Sequence, residues 1–151
     1  MKVLASNKKA YFDFDVLESI IAGISLYGWE VKSVKEGRIS LNGAYIKTIS
    51  NELFLDGAVI TPLKYSPAVS QNEESRQRKL LLTKKQISLL TASAKQPGNT
   101  MVPLEILENE KGLIKVNLAL VKGRKKFDKR QKLKEKDIKK QINFERKKYN
   151  I

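Results

Sequence analysis

The 151-residue chain contains no cysteine and no histidine. Without cysteine there is no disulfide framework, no thiolate zinc site and no cysteine nucleophile. Without histidine the chain loses the usual imidazole metal ligand and the one side chain that changes charge near neutral pH unaided. Nowhere do apolar residues run for the ~20 positions needed to cross a bilayer, and residues 1–10 lack the apolar stretch and small-residue cleavage site of a secretory signal. A soluble, cytoplasmic protein is expected. No phosphate-binding loop, dinucleotide fingerprint or metal-ligand spacing is present. The carboxylate pairs Asp13 with Asp15 and Glu73 with Glu74 have no nucleophile or metal partner near them in sequence and read as turn and loop charge. The expectation is a protein that is not an enzyme and uses no cofactor or metal.

What the chain has in excess is positive charge, with 30 Lys and Arg against 16 Asp and Glu, a net of +14. The excess is uneven. Residues 122–151 hold 14 basic and 4 acidic side chains, a net of +10, which leaves +4 for residues 1–121. A segment of this density repels itself unless a polyanion neutralises it, so nucleic acid is favoured as partner over a purely solubilising role. A membrane surface is disfavoured, because Leu133, Ile138, Ile142, Phe144 and Tyr149 make only a thin, broken apolar stripe. Residues 124–150 contain no Pro or Gly and have good helix formers, yet like charges such as Lys132 and Lys136 repel at i,i+4. The tail is therefore expected to be disordered alone and helical when bound, with the ordering cost taken from the binding free energy. The chain divides into a body, residues 1–121, and a basic tail, residues 122–151.

Within the body, short apolar alternations recur between turn signals, the pattern of antiparallel strands with one buried face. Trp29, Val31 and Ser33 alternate with Glu30 and Lys32, which predicts a strand over 29–33 with Trp29 packed inward. Residues 44–49 and 53–60 flank Ser50-Asn51-Glu52 as a hairpin, and 78–83 is a further strand. Residues 100–107 and 113–121 form a second hairpin, in which Ile114, Val116, Leu118 and Leu120 share one face. Helices are predicted over 17–25 and over 84–95, the latter stopped by Pro97-Gly98, and residues 62–76 form a loop. The fold class is mainly β: a small antiparallel barrel, or else a sandwich, with flanking short helices and the basic tail. Phe127 and Tyr149, set among the tail charges, could stack on unpaired bases or anchor the tail to the body.

Three segments point further: Gly28-Trp29-Glu30-Val31-Lys32-Ser33, Arg76-Gln77-Arg78-Lys79-Leu80-Leu81-Leu82, and Lys122-Gly123-Arg124-Lys125-Lys126-Phe127-Asp128-Lys129-Arg130. In this order and spacing they resemble the SsrA-binding protein (small protein B) family of bacteria. Asn7-Lys8-Lys9-Ala10, Ala22-Gly23 and Val102-Pro103-Leu104 extend the resemblance over residues 6–148. The resemblance implies an OB-type barrel. It also implies a non-catalytic adaptor that binds transfer-messenger RNA and, with elongation factor Tu, delivers it to stalled ribosomes for trans-translation. The tail would lie in the vacant messenger channel next to the decoding centre, and the protein would act as a monomer.

By matched position the resemblance assigns RNA contact to Asn7, Lys8, Lys9, Glu30, Lys32, Ser33, Lys122, Gly123, Lys125 and Phe127. It assigns ribosome contact to Asp128, Lys129, Arg130, Lys132, Lys134, Lys136, Lys139 and Lys140. The family usually has His and Tyr where this chain has Phe12 and Phe14, and a Glu tied to RNA binding where it has Ile21, so these three receive no site role. Two rival readings are a ribosomal protein embedded permanently in ribosomal RNA and a magnesium-dependent hydrolase built on the scattered carboxylates.

Overall fold

In the computed structural model, which describes residues 1–64 and 71–123, nine strands and four short helices follow one another. They are β1 (Lys2–Ser6), α1 (Lys8–Asp13), β2 (Phe14–Ile24), α2 (Gly28–Lys35), β3 (Ile39–Ser40), β4 (Tyr45–Ile49), β5 (Glu52–Asp56), β6 (Val59–Ile60), α3 (Gln71–Glu74), β7 (Arg78–Leu81), α4 (Lys84–Ala94), β8 (Asn99–Glu108) and β9 (Ile114–Gly123). Seven strands form one antiparallel sheet in the order β1-β8-β9-β2-β7-β5-β4, and β3 pairs with β6 separately. The sheet curls so that β4 returns alongside β8, giving a barrel-like body. The mainly antiparallel β expectation holds.

The hairpin of β8 and β9 is the spine. Ile114, Val116, Leu118 and Leu120 point inward as their alternation requires, and meet Leu53, Leu55, Ile60 and Leu80 in the main core. The opposite face is not left to water. Ala119 and Val121 join Val102, Leu104 and Ala10 in a second small cluster that α1 covers, with Tyr11 and Phe14 packed against it. That is why β9 is apolar at successive positions near its end, where a strand with one solvated face would alternate.

Local chemistry explains the elements the sequence announced. Ser50 and Asn51 both have positive φ, 50° and 62°, so the β4–β5 hairpin closes through a two-residue turn whose twist matches its strands. Glu52 belongs to β5 and not to the turn. The chain then reverses at Gly57, where φ is 78° and an added Cβ would lie 3.0 Å from the Gly43 carbonyl oxygen. Thr83 caps α4 reciprocally with Gln86, and Ile87 and Leu90 are the buried stripe of that helix. The expected loop over 62–76 contains the single turn α3, and its residues 65–70 lie outside the described residues.

Two segments differ from expectation. The apolar stretch predicted as a helix over 17–25 is part of β2, which pairs with β9 on one side and with β7 at its end. Ile20, Ala22 and Ile24 face the core while Val16, Leu17 and Ile21 are exposed, so residues apolar on two faces of a strand had imitated a helix. Conversely, the strand predicted over 29–33 is α2. Its buried residues are Glu30, Ser33 and Val34, the i, i+3, i+4 set of one helical face, and Trp29 packs against the core as expected.

Glu30 decides that conformation. Its carboxylate reaches back to accept the Tyr27 backbone N–H at 2.7 Å, which caps the helix start, and it takes hydrogen bonds from the Arg76 Nη2 and, at 2.8 Å, the Arg78 Nε. Arg78 is fully buried and spends its other donors on backbone carbonyls: Nη1 on Ala58 at 2.9 Å, Nη2 on Glu73 and Glu74 at 3.1 and 2.8 Å. One guanidinium thus ties α2 to the segments before β6 and before β7. Burial raises the Glu30 pKa, but the hydrogen bonds from Arg76, Tyr27 and Arg78 outweigh it and hold the group below its ordinary value.

Glu30→Gln should cost about 3–5 kcal/mol, because it leaves a buried guanidinium without its counter-charge. A group with a lowered folded pKa contributes fully above its unfolded value of about 4.3 and loses that contribution as pH falls through the folded value. The urea midpoint of the wild type should therefore drop on acidification below that pH more steeply than that of Glu30→Gln. Gly57→Ala should cost about 1–3 kcal/mol of stability, read as a lower urea midpoint at unchanged slope, since the side chain meets backbone and the φ is strained.

Candidate nucleic-acid interface

The end of the body where the tail begins is built from both ends of the described chain. Asn7 is buried: its Nδ2 donates to the Pro103 carbonyl at 2.9 Å, its backbone N–H donates to Leu104, and its Oδ1 caps α1 by accepting from Ala10. That clamp fixes α1 on β8 and leaves Lys8 and Lys9 exposed on the first turn of α1. Six residues after Lys8, an α-helical rise of about 9 Å, the chain enters β2 at Phe14, which pairs with Gly123. Lys122 lies between Asp15 of β2 and Asn99 of β8, and the Gly123 N–H donates to the Gly98 carbonyl at 3.1 Å. Lys8, Lys9, Lys122 and Gly123 are thereby brought to one end of the barrel. A shallow cleft beside them is lined by Lys9, Asp13, Phe14, Tyr45 and Thr100.

Lys32 does not join this group. It is exposed on α2, one turn before Lys35, whose Nζ is 3.9 Å from the Glu108 carboxylate at the far end of β8. Ten strand residues, about 30 Å at 3.3 Å each, separate that end from Asn99. Glu30 and Ser33 are wholly buried and have no surface to offer a ligand, so direct RNA contact gives way to a structural part for both. Asn7 is likewise buried, and caps the helix that carries Lys8 and Lys9. Lys125, Phe127, Asp128, Lys129, Arg130, Lys132, Lys134, Lys136, Lys139 and Lys140 lie outside the described residues, as does the predicted coupling of tail folding to binding.

Of the three residues given no site role, Phe14 packs against the second cluster, whereas Phe12 and Ile21 are exposed. Ile21 shares the outward face of β2 with Val16. Sequence reasoning missed a polar and aromatic patch that begins at Tyr45, in the cleft beside Lys9. The Tyr45 hydroxyl and the Gln77 Nε2 both donate to Asp56 Oδ2, at 3.1 and 2.9 Å. The Gln77 amide, joined by Tyr45, keeps the Asp56 carboxyl below its usual range, and the same hydrogen bond pushes the Tyr45 phenol up. Tyr45 pairs with Asp56 across the β4–β5 hairpin, so the hairpin register alone could have found that contact. Burial, with the nearby Glu105 charge, raises the Tyr11 phenol pKa. Among the described residues no group of three His, Cys, Asp or Glu could hold a metal ion, and no helix is long and apolar enough to cross a membrane.

Comparison with known proteins agrees with this architecture. The family model of the SmpB protein matches residues 4–148. The SsrA-binding protein of Helicobacter hepaticus (strain ATCC 51449 / 3B1) is 42% identical over 149 residues, covering 99% of this chain and 96% of the relative. The SsrA-binding protein of Helicobacter pylori (strain Shi470) is 44% identical over 142 residues, covering 94% and 93%. A chain of the solved structure "tmRNA-SmpB: a journey to the center of the bacterial ribosome" superposes with a TM-score of 0.67 at 37% identity, over 81% of this chain and 85% of that one. A match that leaves out only three residues at each end, in a chain whose fold is shared as well, means that this protein belongs to the SmpB family.

Proposed function

We propose that the chain binds transfer-messenger RNA (SsrA RNA) and acts with it in trans-translation, rescuing stalled ribosomes as a non-catalytic RNA adaptor. The observation that carries this beyond family membership is the convergence of Lys8, Lys9 and Lys122 at the point where a tail of net +10 leaves the barrel. Cations fixed on rigid elements suit the phosphates of a folded RNA, whose A-form helices hide their base edges and present shape, phosphate and 2′-hydroxyl groups. The body then selects the transfer-RNA-like shape. The tail, with Asp128, Lys129 and Arg130 at its start, enters the messenger channel and becomes helical as ribosomal phosphates neutralise it. Lys125 and Phe127 extend the RNA contact from the body, and Lys32 contributes from the other end of the barrel. The protein works in the cytoplasm as a monomer, delivered with elongation factor Tu.

If Lys8, Lys9 and Lys122 each neutralise a phosphate, replacing all three by Gln should reduce the slope of log K against log salt by about 2–3. Titrating transfer-messenger RNA over about 50–200 mM salt measures it, and an unchanged slope moves the phosphate contacts elsewhere. Truncation after Arg130 should largely spare transfer-messenger RNA binding and abolish peptide tagging on stalled ribosomes. Equal loss of both activities would remove the division between body and tail.

A further inference from the structure

We infer that the exposed face of the Tyr27 ring is a stacking platform for one unpaired RNA base, pre-set by Arg76 and the buried Glu30. Tyr27 is the residue before α2, and 54% of it is exposed. The Arg76 guanidinium carbon sits 4.0 Å from the centre of its ring, so one face is covered by a planar cation. That cation is not a free surface charge. Its Nη2 is bound to Glu30, and its Nη1 donates to the Gln77 carbonyl at 3.1 Å. Glu30 in turn is wholly buried and gripped by Arg78. Its grip on the Tyr27 N–H fixes the backbone that carries the ring. The ring is thus held from behind and from below, with its other face toward solvent.

A plain reading would make Tyr27 a lid over the ion pair. The ring does cover Arg76, whose side chain is 24% exposed, but that contact takes up one face only, and more than half of Tyr27 stays in water. Among the described residues, the recorded contact on this ring is Arg76 on one face. Immobilising a side chain before binding lowers the entropy cost of binding, which is what a stacking surface for RNA requires. The immediate neighbourhood favours a base over a phosphate. Gln77, next to Arg76 in the chain, donates to the Asp56 carboxylate, which is held in its ionised form. An ionised carboxylate repels phosphate and accepts N–H groups from a base edge. The half-exposed Tyr45, hydrogen-bonded to the same carboxylate, extends the aromatic and acceptor character of the patch. Tyr45 also lines the cleft beside Lys9, so the patch borders the cationic end of the body, where phosphate contacts would lie.

This inference rests on the reading of the protein as an RNA adaptor, and the base can belong to transfer-messenger RNA or to the ribosomal decoding site. Tyr27→Ser removes the ring while keeping a side chain that caps a helix, so folding is spared. Tyr27→Phe keeps the ring and loses only the hydroxyl. Dissociation constants of the full-length variants would be measured for transfer-messenger RNA and, separately, for ribosomes with a vacant messenger channel, with thermal midpoints in parallel. Base-specific chemical probing of both RNAs would accompany them. Tyr27→Ser should weaken binding to one of the two RNAs by about 5- to 150-fold at unchanged thermal midpoint, the range for losing one stacked base. Tyr27→Phe should bind as the wild type does, and one unpaired base should be protected by both of these and reactive with Tyr27→Ser. Which RNA responds identifies the source of the base. Wild-type affinity of Tyr27→Ser for both RNAs would overturn the inference alone, as would equal loss in Tyr27→Phe. Failure of the wild type to bind either RNA would overturn the functional reading with it.

Discussion

A single carboxylate, Glu30, organises the part of this molecule that no apolar pattern could organise. It closes the first turn of α2, accepts from Arg76 and Arg78, and through Arg78 reaches the carbonyls of Ala58, Glu73 and Glu74. Two charges fully removed from water are expensive, and apolar residues of similar size could stabilise the same space as well or better. What apolar residues cannot do is answer backbone carbonyls directionally. Three carbonyls and one amide from separate segments converge on the pair, and only a guanidinium with forked donors facing a two-oxygen acceptor satisfies them together. The ion pair therefore acts by fixing register between α2, the approach to β6 and the approach to β7, and any surface function of the surrounding residues inherits that rigidity.

The barrel sets distances between charges more than it creates them. Lys8 and Lys9 reach the tail junction because the buried Asn7 clamps α1 onto β8 and because the last residues of β9 pair with the first of β2. Lys32 and Lys35 are held at the other end of the β8–β9 hairpin by the same strands. A body with only a small net charge can in this way present cations at separated points, while the concentrated charge of the tail supplies long-range attraction that falls with salt. The second apolar cluster under α1 belongs to the same design, since it seats the helix that carries two of those cations.

Much of the β architecture could be read without coordinates. Residues 114–118 alternate cleanly, Ser50-Asn51 supplies the two positive-φ residues a tight hairpin needs, and Thr83 with Gln86 marks a helix start. Two segments misled for physical reasons. β2 has strand partners on both sides and apolar residues on both faces, so its period is hidden. In α2, a strand-like alternation at Trp29, Val31 and Ser33 is overruled by hydrogen bonds from Arg76 and Arg78, which lie 46 and 48 residues away. The candidate site was legible as charge and resemblance. It was not legible as exposure: Asn7 and Ser33 each stand beside a lysine in the sequence and Glu30 stands two residues from one, yet all three are inside the protein in space.

The amino-acid sequence by itself determined the local and additive properties: the placement of +10 in the last 30 residues, the lack of thiol and imidazole chemistry, and the turns and alternations that commit the middle of the chain to antiparallel strands. These depend on residue type and short spacing, which are present in the unfolded chain. The tertiary structure alone decided which polar residues face solvent, which helix or strand an ambiguous apolar segment becomes, and that Tyr27 lies under Arg76 with one face open. Those outcomes follow from contacts between segments tens of residues apart, where desolvation and directional hydrogen bonds outweigh the preferences of any short stretch.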